Sequence, residues 1–159
     1  MFEVENYSGN SEKDYELLLK QLQALIEDEN DSTANLANAS SLLNEFLKEV
    51  NWVGFYLYKE EQLILGPFQG KPACVRIPYG KGVCGTAIAD GTVQRVEDVH
   101  QFPGHIACDA ASQSEIVVPL YKDGEIFGVL DIDAPVKGRF SEVDEKYLKQ
   151  FCDILIQYV

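Results

Sequence analysis

The sequence predicts an α+β fold, an antiparallel sheet with helices packed on it. Three observations carry this expectation. Two helical stretches open the chain, short β-patterned segments separated by turn residues fill its middle, and one helix closes it. Strands grouped between helices, not alternating with them, argue against a doubly wound parallel sheet. With 159 residues the chain suits one domain. A domain of that size buries roughly 70% of its unfolded surface, so it needs no staples to fold.

Residues 13–29 read as the first helix, with Leu18, Leu22, Leu25 and Ile26 at helical spacing. The residues before them, 1–12, carry no pattern and are assigned to an N-terminal arm; residues 13–159 are assigned to the domain. After a polar break at Glu27–Thr33, a second helix is expected from about Ala34 to Val50, with Leu36, Ala39, Leu43, Phe46, Leu47 and Val50 as its apolar stripe. The pattern then changes to aromatic and β-branched residues. Strands are expected at Asn51–Tyr58, Gln62–Phe68, Cys74–Pro78 and Val93–Val96, with Gly80-Lys81-Gly82 feeding a short helix before the last of these. Residues 98–109 show no period and read as a loop, with a turn of helix near Ala107–Ala111. Strands at Ile116–Tyr121 and Glu125–Asp133 flank a Lys122-Asp123-Gly124 turn, and Ser141–Tyr158 closes the chain as a helix whose Ser141 and Asp144 form a capping box.

The net charge is −13, with 26 acidic against 13 basic residues. Nucleic acids and anionic membranes attract basic proteins, so neither is an expected partner. No apolar run approaches the ~18 residues of a membrane helix, and the N-terminus lacks a signal-peptide pattern. The expected location is the cytoplasm. Four cysteines in a reducing compartment are then fillers, metal ligands or redox groups.

Cys152 lies on the last helix beside Leu148, Phe151 and Leu155 and reads as a core filler. Cys84 opens a short helix after a glycine turn. Free amide N–H groups there favour anions and lower a thiol pKa, which makes Cys84 the nucleophile that helix-terminus physics selects. The same amides suit a carboxylate. Cys108 sits in a long polar loop where substrate can reach it. Cys74 lies in a strand-like segment and matters only if it converges with the other two. Zinc ligation by His100, His105 and Cys108 with Cys74 or Cys84 is disfavoured, because no C-x-x-C or H-x-x-x-H pair is present. No metal or cofactor is expected, and both histidines read as solvent-exposed.

A second constellation is acidic. Asp131 and Asp133 alternate with Ile132 on a strand, so both point to one face, about 7 Å apart. Glu115 begins the partner strand, and its face depends on the hairpin register. A two-residue Asp123-Gly124 turn pairs Lys122 with Glu125 and places Glu115 opposite Ile132, on the wrong face. A three-residue turn with Gly124 left-handed pairs Tyr121 with Glu125 and places Glu115 opposite Asp131. The second register is the expected one. Three carboxyls in one pocket cannot all ionise cheaply. The ionised members suit an ammonium group, and a protonated one can serve as general acid. Acids for an ammonium and N–H donors for a carboxylate together fit an amino-acid ligand.

The stretches Asn51-Trp52-Val53-Gly54-Phe55-Tyr56, Gly80-Lys81-Gly82-Val83-Cys84-Gly85, His105-Ile106-Ala107-Cys108-Asp109, Ser114-Glu115-Ile116-Val117-Val118-Pro119 and Gly128-Val129-Leu130-Asp131-Ile132-Asp133 resemble, in order, those of the free methionine-(R)-sulfoxide reductases, which are single GAF-domain enzymes. The resemblance covers nearly the whole chain, including Ala34–Ser40 in the second helix. It implies a GAF-like six-stranded antiparallel sheet flanked by helices, and free methionine sulfoxide as substrate. It implies Cys108 as nucleophile, against the helix-terminus argument for Cys84. Cys74 or Cys84 would condense with the resulting sulfenic acid to a disulfide, and thioredoxin would reduce that bond. Glu115, Asp131 and Asp133 would bind and activate the substrate, and Trp52 would pack against its methyl end. A homodimer is also implied. The competing readings are a non-catalytic GAF module that binds a small ligand and a thiol redox sensor. No output domain is expected after the last helix, which speaks against the first, and the acidic trio speaks against the second.

Overall fold

The computed structural model describes residues 11–106 and 108–159. Helix α1 spans Ser11–Ile26, so the arm assigned to residues 1–12 falls, for 1–10, outside the described residues. Helix α2 spans Ser32–Phe46 and is capped by Asp31, whose side chain accepts from the Ala34 amide at 2.8 Å. It ends earlier than the apolar stripe suggested. Leu47 is already extended and Glu49 takes a φ of 57°, because the chain must turn to deliver Trp52 to the sheet.

The strands are β1 (Trp52–Lys59), β2 (Gln62–Gly70), β3 (Arg76–Pro78), β4 (Gln94–Val96), β5 (Ser114–Lys122) and β6 (Glu125–Ala134). They form one sheet in the order β3-β2-β1-β6-β5-β4, with every neighbouring pair antiparallel. Helix α3 (Gly82–Asp90) lies between β3 and β4, and α4 (Glu142–Leu155) follows β6. This is the expected α+β architecture. Cys74 lies ahead of β3 and not in it: only Arg76, Ile77 and Pro78 pair with β2.

Alternation along the strands separates two cores. Val53, Phe55, Ile116, Val118, Leu130 and Ile132 face a large core with the apolar stripes of α1, α2 and α4; Cys152 is buried there, as expected. Trp52, Tyr56, Val117 and Val129 face a smaller core with Val83, Cys84, Ala87 and Ile88 of α3. The capping box of α4 is present, and Asp144 also accepts from the buried Tyr15 hydroxyl at 2.6 Å, tying α4 to α1.

The β5–β6 register corrects the sequence expectation. The turn has two residues: Lys122 pairs with Glu125, and Asp123 (φ 53°) and Gly124 (φ 81°) are both left-handed. Both central residues at positive φ is the turn geometry that matches strand twist. The ladder then shifts, with Tyr121 opposite Ile126 but Leu120 opposite Gly128. Phe127 is therefore the extra residue of a β-bulge. The bulge restores the parity that the two-residue turn would have lost. Glu115 returns to the face of Asp131 and Asp133, but it sits opposite Asp133, not Asp131.

Candidate active site

The β1, β5 and β6 strands form the floor of a pocket beneath the N-terminus of α3 and the loop after β4. On β1, Trp52 and Gly54 pair with Asp133 and Asp131 of β6. A Cβ at Gly54 would stand 2.8 Å from the Trp52 ring and 2.3 Å from the Phe68 Cβ. The missing side chain lets the indole lie along the sheet, stacked between Phe68 and Tyr56 at centroid distances of 5.1 and 5.8 Å. Trp52 Nε1 donates to the main-chain carbonyl of Lys71 at 3.1 Å.

Glu115, Asp131 and Asp133 converge on this floor, and all three line the pocket. Burial raises the pKa of each, and the negative charge of Asp131 adds to the rise at Glu115 and Asp133. Hydrogen bonds from Glu115 and Cys84 work the other way at Asp131 and favour its charge. Burial and mutual repulsion therefore favour retained protons in the trio, with Asp131 the best placed to stay ionised. One oxygen each of Asp131 and Asp133 is buried without a hydrogen-bond partner. Buried acceptors are rarely left so, and this pair suits a cationic donor entering the pocket.

Cys84 occupies the first turn of α3, as expected, but its thiol behaves oppositely to the helix-terminus argument. It is buried over the carboxyls. Burial raises its pKa well above the usual thiol value, and the charge of Asp131 and a hydrogen bond to that residue raise it further. The helix N-terminus loses to desolvation and like charge. Burial and the neighbouring carboxyls thus favour the neutral thiol of Cys84.

Cys74 and Cys108 form a disulfide with their Cα atoms 5.6 Å apart, and Cys84 remains a free thiol. Of the two candidate partners for Cys108, the fold joins Cys74. The Tyr56 hydroxyl donates to the Cys74 carbonyl at 2.8 Å. Asn51 Nδ2 donates to Asp109 at 2.9 Å and to the Ser112 hydroxyl at 3.2 Å, fastening the Cys108 loop to the start of β1.

His105 corrects another expectation. It is not solvent-exposed; it lines the pocket, with Nε2 3.9 Å from Glu115. Burial and the nearby His100 lower its pKa while burial raises that of Glu115, so this is a contact of neutral groups and not an ion pair. His100 is exposed, as expected. The zinc set weighed from the sequence is not assembled, because Cys74 and Cys108 are bonded to each other and His100 lies outside the pocket. The donor atoms of Cys84, Glu115 and Asp131 do lie within 4.8 Å of one another. Tyr56, Ser112 and Asp109 also line the pocket and have no individual mark in the sequence. Only the motif Asn51–Tyr56 and the loop around Cys108 carried a signal that could have found them.

Comparison with known proteins follows the same lines. A GAF domain family model matches residues 36–157. The free methionine-R-sulfoxide reductase of Escherichia coli (strain K12) is 57% identical over 141 residues, covering 89% of this chain and 86% of that protein. The solved structure of fRMsr of Staphylococcus aureus in its reduced form is similar at 58% identity with a TM-score of 0.89, over 91% of this chain and 94% of that one. Free methionine-R-sulfoxide reductase from Neisseria meningitidis, solved in complex with its substrate, is similar at 43% identity with a TM-score of 0.96, over 99% of this chain and 95% of that one. Among the described residues no helix is long and apolar enough to cross a membrane.

Proposed function

Given that the chain belongs to the free methionine-R-sulfoxide reductase family of GAF-domain proteins, we infer that it reduces free L-methionine (R)-S-oxide to L-methionine. The observation that carries this reading is one pocket lined both by Cys108, which is bonded to Cys74, and by a buried trio of carboxyls. Each half supplies what the other lacks. The thiols provide two electrons, and the carboxyls provide recognition and a proton.

In the reduced protein the Cys108 thiolate attacks the sulfoxide sulfur. A protonated carboxyl, Glu115 or Asp133, gives its proton to the sulfoxide oxygen. Methionine leaves and Cys108 becomes a sulfenic acid. The Cys74 thiol displaces water from it, forming the disulfide. Asp131, the member favoured to stay charged, receives the substrate ammonium. The first amides of α3 suit the substrate carboxylate. Trp52 packs against the methyl end. Cys84 supports Asp131 through its thiol hydrogen bond and is not the resolving residue. A dithiol of the thioredoxin class restores the thiols. The enzyme works as a cytoplasmic homodimer.

The test is a thiol-coupled assay with each epimer of methionine sulfoxide, free and peptide-bound. Turnover of the free R epimer alone is expected. Activity on peptides or on the S epimer would contradict the reading. No turnover with tight methionine binding would favour a sensing module.

A further inference from the structure

The charge of this chain is unevenly spread. Residues 62–89 contain Lys71, Arg76 and Lys81 but none of the chain's 26 acidic residues. That segment surrounds Cys74. Its two apolar side chains Val75 and Tyr79 are 59% and 49% exposed, the highest values among the large hydrophobic residues described. Lys71 and Lys81, in the same segment, are exposed as well. Lys71 also acts electrostatically on Asp109, next to Cys108, so it lies on the disulfide side of the pocket. Arg76 pairs with Glu60 at 3.0 Å, both side chains exposed. An acidic protein thus has an acid-free stretch whose exposed side chains are basic and apolar, a collar along the sequence on both sides of Cys74 of the disulfide.

On the reading above, each turnover ends with that disulfide closed, and a protein thiol must reach it. We propose that the collar of Lys71, Val75, Tyr79 and Lys81 is the docking surface for the reducing protein, a dithiol whose contact face is apolar and rimmed by acids. The charges are complementary: a basic patch on a −13 chain selects an acidic rim. The apolar pair supplies the contact that excludes water. The collar also selects the sulfur attacked. Cys108 is followed by Asp109 and lines the pocket with the carboxyl floor, whereas Cys74 is not among the residues lining it, so an incoming thiolate meets less negative charge at Cys74. The partner's thiolate bonds to Cys74 Sγ, and Cys108 leaves as a thiolate. The partner's second thiolate then attacks the partner sulfur of that mixed disulfide and releases Cys74. Two electrons pass to this protein, both protons of the partner's thiols end on Cys74 and Cys108, and the partner leaves oxidised.

The experiment uses the full chain with a thioredoxin and, in parallel, dithiothreitol as reductant. The double variant Val75→Ser/Tyr79→Ser and the variant Lys71→Glu should each raise the KM for thioredoxin by about tenfold. Both should keep the native rate with dithiothreitol. Added salt should lower kcat/KM for thioredoxin with the native chain and have less effect with Lys71→Glu. A thioredoxin with its second cysteine changed to serine should be trapped on Cys74. Unchanged thioredoxin kinetics in the variants, equal losses with both reductants, or trapping on Cys108 would overturn the proposal. Failure of the functional reading looks different: no methionine forms with dithiothreitol, while thiol labelling still reports reduction of the disulfide by thioredoxin at the native rate.

Discussion

Glu115 is a carboxyl that the fold holds at a cost. Burial and the charge of Asp131 raise its pKa well above the ordinary value. A group whose pKa is higher in the fold than in the unfolded chain binds its proton more tightly when folded. Its contribution favours the fold below the unfolded value, about 4.3, and is lost as pH rises through the folded value. Glu115→Gln should therefore stabilise the reduced protein more at pH 8 than at pH 5. A gain of about 1 kcal/mol, or about 2–4 °C in Tm, is of the size seen when active-site strain is relieved. The same variant should lower kcat about 100-fold, because the amide cannot give up a proton. Melting curves at the two pH values check the first outcome; equal or inverted shifts would contradict it. The thiols make a second prediction. Cys108→Ser should release no methionine, Cys74→Ser should release one equivalent per chain and stall, and Cys84→Ser should continue to turn over. Rapid-quench counting of methionine separates the three. The acids were legible in the sequence because strand alternation is a local rule, and Asp131 and Asp133 obey it with no knowledge of the rest of the fold. The inertness of Cys84 was not. Its helix position can be read locally, but the carboxyl floor beneath it comes from strands about thirty to fifty residues further along.

The hairpin of β5 and β6 shows the same limit one level up. The Asp123-Gly124 turn is marked by its own residues, and the two-residue form they favour is the one adopted. The bulge at Phe127 has no such mark, so parity was recovered by the wrong device and Glu115 was matched with the wrong aspartate. Element boundaries slipped for a related reason: α2 stops at Phe46 because the chain must enter the sheet at Trp52, a tertiary demand invisible to periodicity. The seating of α3 yields a prediction at this scale. A Cβ on Gly85 would stand 2.5 Å from the Pro78 carbonyl and 3.2 Å from the Gly80 amide, so the helix sits directly on the turn that precedes it. The Gly80 amide in turn donates to the Gly85 carbonyl at 3.0 Å. Gly85→Ala must lift α3 from this turn and with it Cys84 from Asp131. A loss of about 1–3 kcal/mol is expected, seen as a lower Tm, together with faster labelling of Cys84 by a thiol reagent. A variant that melts as the native protein does, with Cys84 still protected, would show that the turn yields instead.

At the scale of the molecule, the Cys74–Cys108 bond spans 34 residues and encloses β3, α3 and β4. A loop of this length is worth about 3–4 kcal/mol in the chain-entropy account. The oxidised form should therefore melt about 10 °C above the reduced form. The bond also shapes the pocket. In the disulfide form the cavity measures about 40 Å³, room for about three or four waters at about 10–15 Å³ each. That is little room for a free amino acid with a thioether or sulfoxide side chain. A wider pocket is expected in the dithiol form, so ligand binding should follow the redox state. Trp52 is the only tryptophan and stands in the pocket wall, so its fluorescence reports on this site alone. Titrating methionine into the reduced protein should change the emission saturably, while the oxidised protein should give no change over the same range. Binding of comparable strength to both forms would show that the disulfide does not close the pocket. The catalytic order would then rest on chemistry alone: product would be free to stay after the disulfide forms, and its release would no longer be coupled to oxidation.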